Sequence, residues 1–130
     1  MKLLAAALLA LTVPASAAAA LEVKLAVAPK SPAKGAATTI QLRPYWTYNR
    51  PDGTCCVLKP ANVRYPFKVE AVSPTGRVYG PAVRRKTPYL WSAVFRFRTA
   101  GRWVIRAPQW GPRYSRKYGA RPRIALTIAP

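Results

Sequence analysis

The chain has 130 residues with 22 Lys and Arg, only three Asp and Glu, and no His, so its formal net charge is +19. The lack of His excludes Ser-His and Cys-His catalytic pairs, and three carboxylates are too few for most acid-base chemistry. Four Trp, seven Tyr and three Phe predict a folded chain with an aromatic core rather than a disordered one.

The first 20 residues have the pattern of an export signal. Lys2 supplies a positive start, residues 3–13 form an apolar run, and Ala15-Ser16-Ala17 fits the cleavage rule for small residues. The run is shorter than the roughly 20 residues that a membrane-spanning helix needs. We therefore expect cleavage between Ala17 and Leu21, a secreted or periplasmic protein, and no transmembrane segment in the mature chain.

The remaining 110 residues, 21–130, have the size of one domain and a period-two apolar pattern that is typical of β-strands. Residues 45–64 have no clear pattern, and we expect a long loop there with a short strand inside it. Pro44 is expected to end the strand before that loop. The alternation predicts about seven short strands and no helix, at residues 21–27, 38–42, 65–72, 77–83, 89–99, 102–107 and 124–128.

The segment Thr99-Ala100-Gly101-Arg102-Trp103-Val104-Ile105 resembles the corner before strand F of immunoglobulin-like domains. Trp103 takes the place of the corner tyrosine, and Ile105 that of the second cysteine. The wider layout, with its "SPAKG" and "SPTG" turns and "YLWSAVFRFRTAGRWVIRA", resembles small exported bacterial sandwiches of the copper-resistance and FixH-like kind across residues 21–129. This resemblance implies an all-β, immunoglobulin-like antiparallel β-sandwich of about seven strands.

The same resemblance does not carry over a metal site. Copper carriers of that kind bind the metal through His and Met, whereas this chain has no His and its one Met is the initiator. We therefore expect no metal, no cofactor and no catalytic residue. The acidic residues Glu22 and Glu70 are predicted at outward strand positions and Asp52 in a turn.

The cross-sheet disulfide of immunoglobulin domains cannot form, because the chain has two cysteines and these, Cys55 and Cys56, are adjacent in sequence. Their Cα atoms are expected about 3.8 Å apart across a trans peptide, which is below the usual disulfide range. Three interpretations stay open: a vicinal disulfide, a bridge from each to another chain, or free or separately buried thiols. Export favours oxidation.

The basic residues are the only candidates for a binding function. Arg96 and Arg98 share one face of a predicted strand, and Arg102 and Arg106 share a face of the next. If residues 99–101 form a hairpin loop, Arg98 and Arg102 stand opposite and repel each other unless an anion binds there. If they form a corner between two sheets, the arginines lie on opposite outer faces.

A second basic set lies in a loop rich in Pro, Gly and Tyr. The anion-binding candidates there are interleaved with side chains that could stack on bases or sugars, although these aromatic residues could instead fold back and pin the loop. A GC-rich coding bias is a further explanation for the high arginine content. The candidates are Arg113, Arg116, Lys117, Arg121 and Arg123 for anions, and Trp110, Tyr114 and Tyr118 for stacking.

Together these features predict a secreted, non-catalytic basic module of the cell envelope. Its partner would be an anionic polymer or surface, or an acidic protein, because a large positive charge attracts polyanions. The alternative is a secreted cationic effector that acts on foreign membrane or nucleic acid. An all-β fold without an amphipathic helix disfavours direct membrane disruption. Nucleic acid is a possible partner but not the favoured one.

Overall fold

The structure, a computed structural model, describes residues 19–64, 67–108 and 122–130. Within these ranges the regular structure is β throughout and contains no helix. Nine strands follow one another along the chain: β1 (Ala19–Ala28), β2 (Ala37–Asn49), β3 (Cys55–Pro60), β4 (Glu70–Val72), β5 (Val78–Tyr79), β6 (Arg84–Thr87), β7 (Leu90–Arg96), β8 (Gly101–Arg106) and β9 (Arg123–Ile128).

The strands form two antiparallel sheets. The five-stranded sheet has the order β1-β2-β7-β6, with β3 also paired to β2, and the four-stranded sheet has the order β5-β4-β8-β9. Strand β2 organises the larger sheet because β1 runs along one of its edges, while β7 and then β3 share the other edge. The predicted all-β class is therefore confirmed at the level of two antiparallel sheets.

One hydrophobic core contains the inward side chains of both sheets. The alternation seen in the sequence produces it, because successive strand residues point to opposite faces. Phe97 and Ile105 are fully buried and Trp103 is 2% exposed. The Phe97 and Trp103 rings meet edge to face with their centroids 5.2 Å apart, and this contact links the end of β7 to β8.

The prediction that Pro44 ends a strand is wrong, since β2 continues through it to Asn49. Pro44 accepts a hydrogen bond from the Ala61 N–H through its carbonyl oxygen, at 2.9 Å. A strand residue directs its N–H and C=O to the same edge, so the missing N–H of Pro44 falls on that edge as well. There it lies between the end of the β7 pairing at Leu42 and the start of the β3 pairing at Tyr45, where no ladder bond is lost.

The strand count also differs from the prediction of about seven. Residues 45–64, expected as a loop, supply the second half of β2 and all of β3. The single strand expected over residues 77–83 is instead a two-residue β5, a linking segment over residues 80–83, and then β6. Both differences arise because pairing partners distant in sequence decide where a strand begins and ends.

The chain crosses between the two sheets over residues 97–100, so β7 and β8 are not a hairpin. Gly101 begins β8 with a φ of 117°, a value that side-chain-bearing residues rarely adopt. The indole N–H of Trp103 donates to the carbonyl oxygen of Thr99 at 2.9 Å and ties the corner together. Of the two arrangements considered for this segment, the corner between sheets is the one present.

Candidate functional site

Basic side chains cover the surface and are hardly balanced by acids. Every Lys and Arg in the described ranges is exposed or half-buried. Glu70 accepts a hydrogen bond from Arg106 Nε at 2.7 Å, and in the same ranges neither Glu22 nor Asp52 makes an ion pair. The described surface therefore presents positive charge to solvent, and one ion pair, Glu70–Arg106, offsets it.

The corner separates the first set of predicted arginines. Arg96 ends β7 in the larger sheet and Arg98 follows it, whereas Arg102 and Arg106 lie on β8 in the smaller sheet. Arg98 and Arg102 therefore do not form the opposed pair that a hairpin would create. The predicted candidates do not form one patch but occupy two regions of the molecule.

Like charges do stand opposite each other elsewhere. Arg106 on β8 faces Arg123 on β9, and Glu70 on β4 flanks Arg106 from the other side. A second pair, Lys24 on β1 facing Arg43 on β2, was not predicted. Directly opposed like charges destabilise a sheet, so each pair is a place where a bound anion would relieve repulsion.

Most of the second predicted set lies outside the described residues. Arg123 is described, is exposed and begins β9. The other seven members of the set fall in the range 109–121, namely Arg113, Arg116, Lys117, Arg121, Trp110, Tyr114 and Tyr118.

An aromatic cleft of about 460 Å³ is lined by residues of both sheets. Its lining includes Tyr79 from β5, Phe95 from β7 and Trp103 from β8. The Phe95 centroid lies 5.6 Å from both the Tyr79 and the Trp103 centroids. Because these residues are far apart in sequence, alternation alone did not indicate that they meet.

Arginines surround this cleft. Arg96 and Arg98 line it, and the guanidinium carbon of Arg77 lies 5.1 Å from the centre of the Tyr79 ring, within the range of a cation–π contact. Arg96 also donates to the Gly35 carbonyl oxygen at 2.9 Å, which holds its side chain in place. We call this arrangement of apolar floor and cationic border the Arg-rimmed cleft.

A second cavity, of about 330 Å³, continues beside the Arg-rimmed cleft. The two cavities share Val94, and the second is lined by Arg84 and Lys86 of β6 as well. Val94 is 62% exposed, which is high for a large apolar side chain. Neither Arg84 nor Lys86 was predicted as a site residue, although the run Arg84-Arg85-Lys86 was a visible signal of a basic edge.

The two cysteines lie at the tip of the β2–β3 hairpin. The Sγ atoms of Cys55 and Cys56 are in direct contact at the start of β3. In the preceding turn the hydroxyl of Thr54 donates to Asp52 Oδ1 at 2.6 Å, and its backbone N–H donates to the same oxygen at 2.9 Å. The hydroxyl first, and then the backbone N–H, lower the pKa of the Asp52 carboxyl.

Two general features of the described residues bear on the kind of site. No three His, Cys, Asp or Glu side chains in those ranges come together as a metal-binding group. The same part of the chain contains no helix that is long and apolar enough to cross a bilayer.

A scan against protein-family models and searches of curated proteins and of solved structures find no match to this chain. The charge distribution and the cleft are therefore the features that bear on function.

Proposed function

We propose that this protein is a secreted, non-catalytic, strongly basic binding or structural module of the cell envelope, and that its partner is an anionic polymer or surface, or an acidic protein. One observation carries the proposal. The described Lys and Arg side chains face solvent in every sheet region, while a single ion pair, Glu70–Arg106, balances them in those ranges.

Most of this positive charge has no counter-charge on the described surface. A surface with this much positive potential concentrates anions and accelerates their association. The opposed pairs Lys24–Arg43 and Arg106–Arg123 add local repulsion, which Glu70 already reduces in the second pair and which a phosphate, sulfate or carboxylate group would reduce further. Since these pairs lie on different sheets, an extended polyanion that contacts several regions suits the surface better than one small anion.

We infer further that the two sheets are an immunoglobulin-like sandwich. The orders β1-β2-β7-β6 and β5-β4-β8-β9 correspond to strands A-B-E-D and C′-C-F-G of that fold, with β3 as an addition. The bond from Trp103 to the Thr99 carbonyl oxygen parallels the hydrogen bond of the tyrosine corner. Both features support the resemblance from which this fold was predicted.

Secretion remains part of the proposal and has its own test. Strand β1 includes Ala19 and Ala20, which pair with Tyr48 and Thr47. Cleavage after Ala17 keeps both residues in β1, whereas cleavage after Ala20 removes them. The intact mass of the exported protein distinguishes the two sites, and recovery of the uncleaved chain from the cytoplasm would contradict secretion.

Binding is tested by retention on purified cell wall that carries teichoic acid. The triple variant Lys24→Glu, Arg102→Glu and Arg123→Glu is attracted less strongly to the anionic wall. Since salt screens exposed charges, within about 10 Å at 0.1 M, this weaker attraction should be overcome at a lower salt concentration than that of the unchanged protein. The matched control, Lys24→Arg with Arg102→Lys and Arg123→Lys, keeps the net charge and should elute with the unchanged protein. Retention that is independent of salt, or equal for both variants, contradicts the proposal.

The effector alternative requires a separate measurement. Release of a dye from anionic vesicles at protein concentrations that saturate the cell wall would favour the membrane-active effector over the envelope module. We expect no release, since an amphipathic helix is a common means of inserting into a membrane surface and the regular structure of the described residues is β.

A further inference from the structure

Strand β7 has an open edge over part of its length. Strand β6 pairs with Leu90–Ser92 only, although β7 continues to Arg96. In the described ranges, no backbone hydrogen bond outside the strand pairings joins residues 80–83 to residues 93–96. Successive strand residues direct their main-chain groups to opposite edges, so two of the four residues 93–96 present a free N–H and C=O on the side away from β2, and such an edge can accept another strand.

The space needed by an added strand lies beside this edge. Residues 80–83 turn away from β7 to reach β5 in the other sheet, and the cavities of about 460 and 330 Å³ fill the gap between them. Val94 lies where the two cavities meet. Half-buried Phe95 forms part of the floor of the larger cavity against Trp103, so the gap offers an apolar pocket next to the free main chain.

Positive charge stands at both ends of the gap. Arg84 and Lys86 lie at the end where Arg84 pairs with Ser92, and Arg96 and Arg98 lie at the other. No carboxylate of the described residues lines either cavity. At about 3.3 Å per residue, the strand from Ser92 to Arg96 spans roughly 13 Å, which matches acidic side chains four residues apart in an extended peptide.

We propose that this gap is a docking site for an extended acidic peptide segment of a partner protein, which pairs with residues 93–96 of β7 as an additional strand. A central apolar side chain enters the Arg-rimmed cleft, and flanking carboxylates meet the basic groups at both ends. Main-chain hydrogen bonds supply affinity and the cleft supplies selectivity, as in other cases of strand addition. The inference rests on the proposed function in one respect, namely that the partner is anionic.

The probe is a fluorescein-labelled peptide, Glu-Glu-Val-Phe-Val-Glu-Glu, with blocked ends, and its binding is followed by fluorescence anisotropy. The comparison peptide has the same sequence but carries N-methyl groups on Phe and on the following Val. Successive amides of a strand face opposite edges, so one methyl group faces β7 in either orientation. We expect saturable binding of the first peptide and at least about tenfold weaker binding of the second. Equal binding of the two peptides overturns strand addition.

Variants of the protein locate the site. Gly80 lines the cleft, is exposed, and has no atom within 4 Å of an added Cβ, so Gly80→Leu should fill the cleft without disturbing the fold. Its control, Ala26→Leu, adds the same bulk at an exposed position of β1. We expect Gly80→Leu to weaken peptide binding about tenfold and Ala26→Leu to leave it unchanged. Equal effects of the two variants place the peptide elsewhere.

Charge reversal completes the test and separates it from the proposed function. Arg98→Glu should weaken peptide binding about tenfold, and Lys30→Glu, the same charge change near the end of β1 at the opposite edge of the sheet, should not. If both reversals weaken binding equally, the peptide binds the general positive surface and the docking site is wrong, while the proposed function stands. If Gly80→Leu abolishes peptide binding but cell-wall retention is independent of salt, the proposed function fails and the docking site stands.

Discussion

Replacing Gly101 with alanine tests the packing at the corner between the two sheets. A Cβ at this position would lie 2.8 Å from Pro74 Cγ and 3.2 Å from Pro74 Cβ, and φ is +117°. A positive φ costs a side-chain-bearing residue roughly 1–2 kcal/mol, and overpacking against a ring adds about 1–3 kcal/mol. We expect Gly101→Ala to reduce the free energy of unfolding by about 2–5 kcal/mol.

Two comparisons separate these contributions. Gly76 also has a positive φ, +89°, but open space around its added Cβ, so Gly76→Ala should show only the backbone cost. Adding Pro74→Ala to Gly101→Ala removes the ring atom in the way and should restore part of the stability in a double-mutant cycle. Urea unfolding followed by tryptophan fluorescence measures these three variants and the single variant Pro74→Ala that completes the cycle. Equal losses at Gly101 and Gly76, together with no coupling to Pro74, would refute this account.

Two further predictions concern carboxylates. Thr54→Val removes the hydroxyl that donates to Asp52, so the pKa of Asp52, lowered in the native protein, should rise towards its ordinary value in a carboxyl NMR titration; an unchanged pKa would contradict the assignment. Because this pKa is lowered on folding, the turn is stabilised above the ordinary pKa of Asp52 and loses that stabilisation as the pH falls through the folded-state pKa. Glu70→Gln leaves Arg106 facing Arg123 without a counter-charge and should cost up to about 1 kcal/mol at low salt, less at high salt; a loss that does not vary with salt in urea unfolding argues against an electrostatic cause.

Local alternation predicts most of the side chains that face the core. In the strand expected over residues 89–99, Trp91, Ala93 and Phe97 of the inward face are buried and Phe95 is half-buried, whereas Ser92 of the outward face is buried as well. Inward direction depends only on the two-residue period of a strand, which the sequence displays directly. Strand ends depend on partners that are distant in sequence, so the extension of β2 through Pro44 could not be predicted without knowing where β7 and β3 begin.

The candidate site also has one feature that the sequence predicts and others that only the structure shows. The excess of Lys and Arg is a property of composition and was recognised from it. The Arg-rimmed cleft was not, because Tyr79, Phe95 and Trp103 come from three strands in two sheets. Arg77 was overlooked for the same reason, since its contact with Tyr79 matters only once that ring forms part of a cleft. Proximity across sheets leaves no periodic signal in a single sequence.

One signal for the open edge was nevertheless present in the sequence. Gly80-Pro81 lies inside the segment predicted as a single strand over residues 77–83. A Gly-Pro pair is a turn signal, and proline also restricts the residue before it. In the structure the chain is not paired with β7 over residues 80–83, and it passes there between β5 of the smaller sheet and β6 of the larger one. Since β7 itself continues to Arg96, this crossing leaves part of its edge unpaired beside Val94.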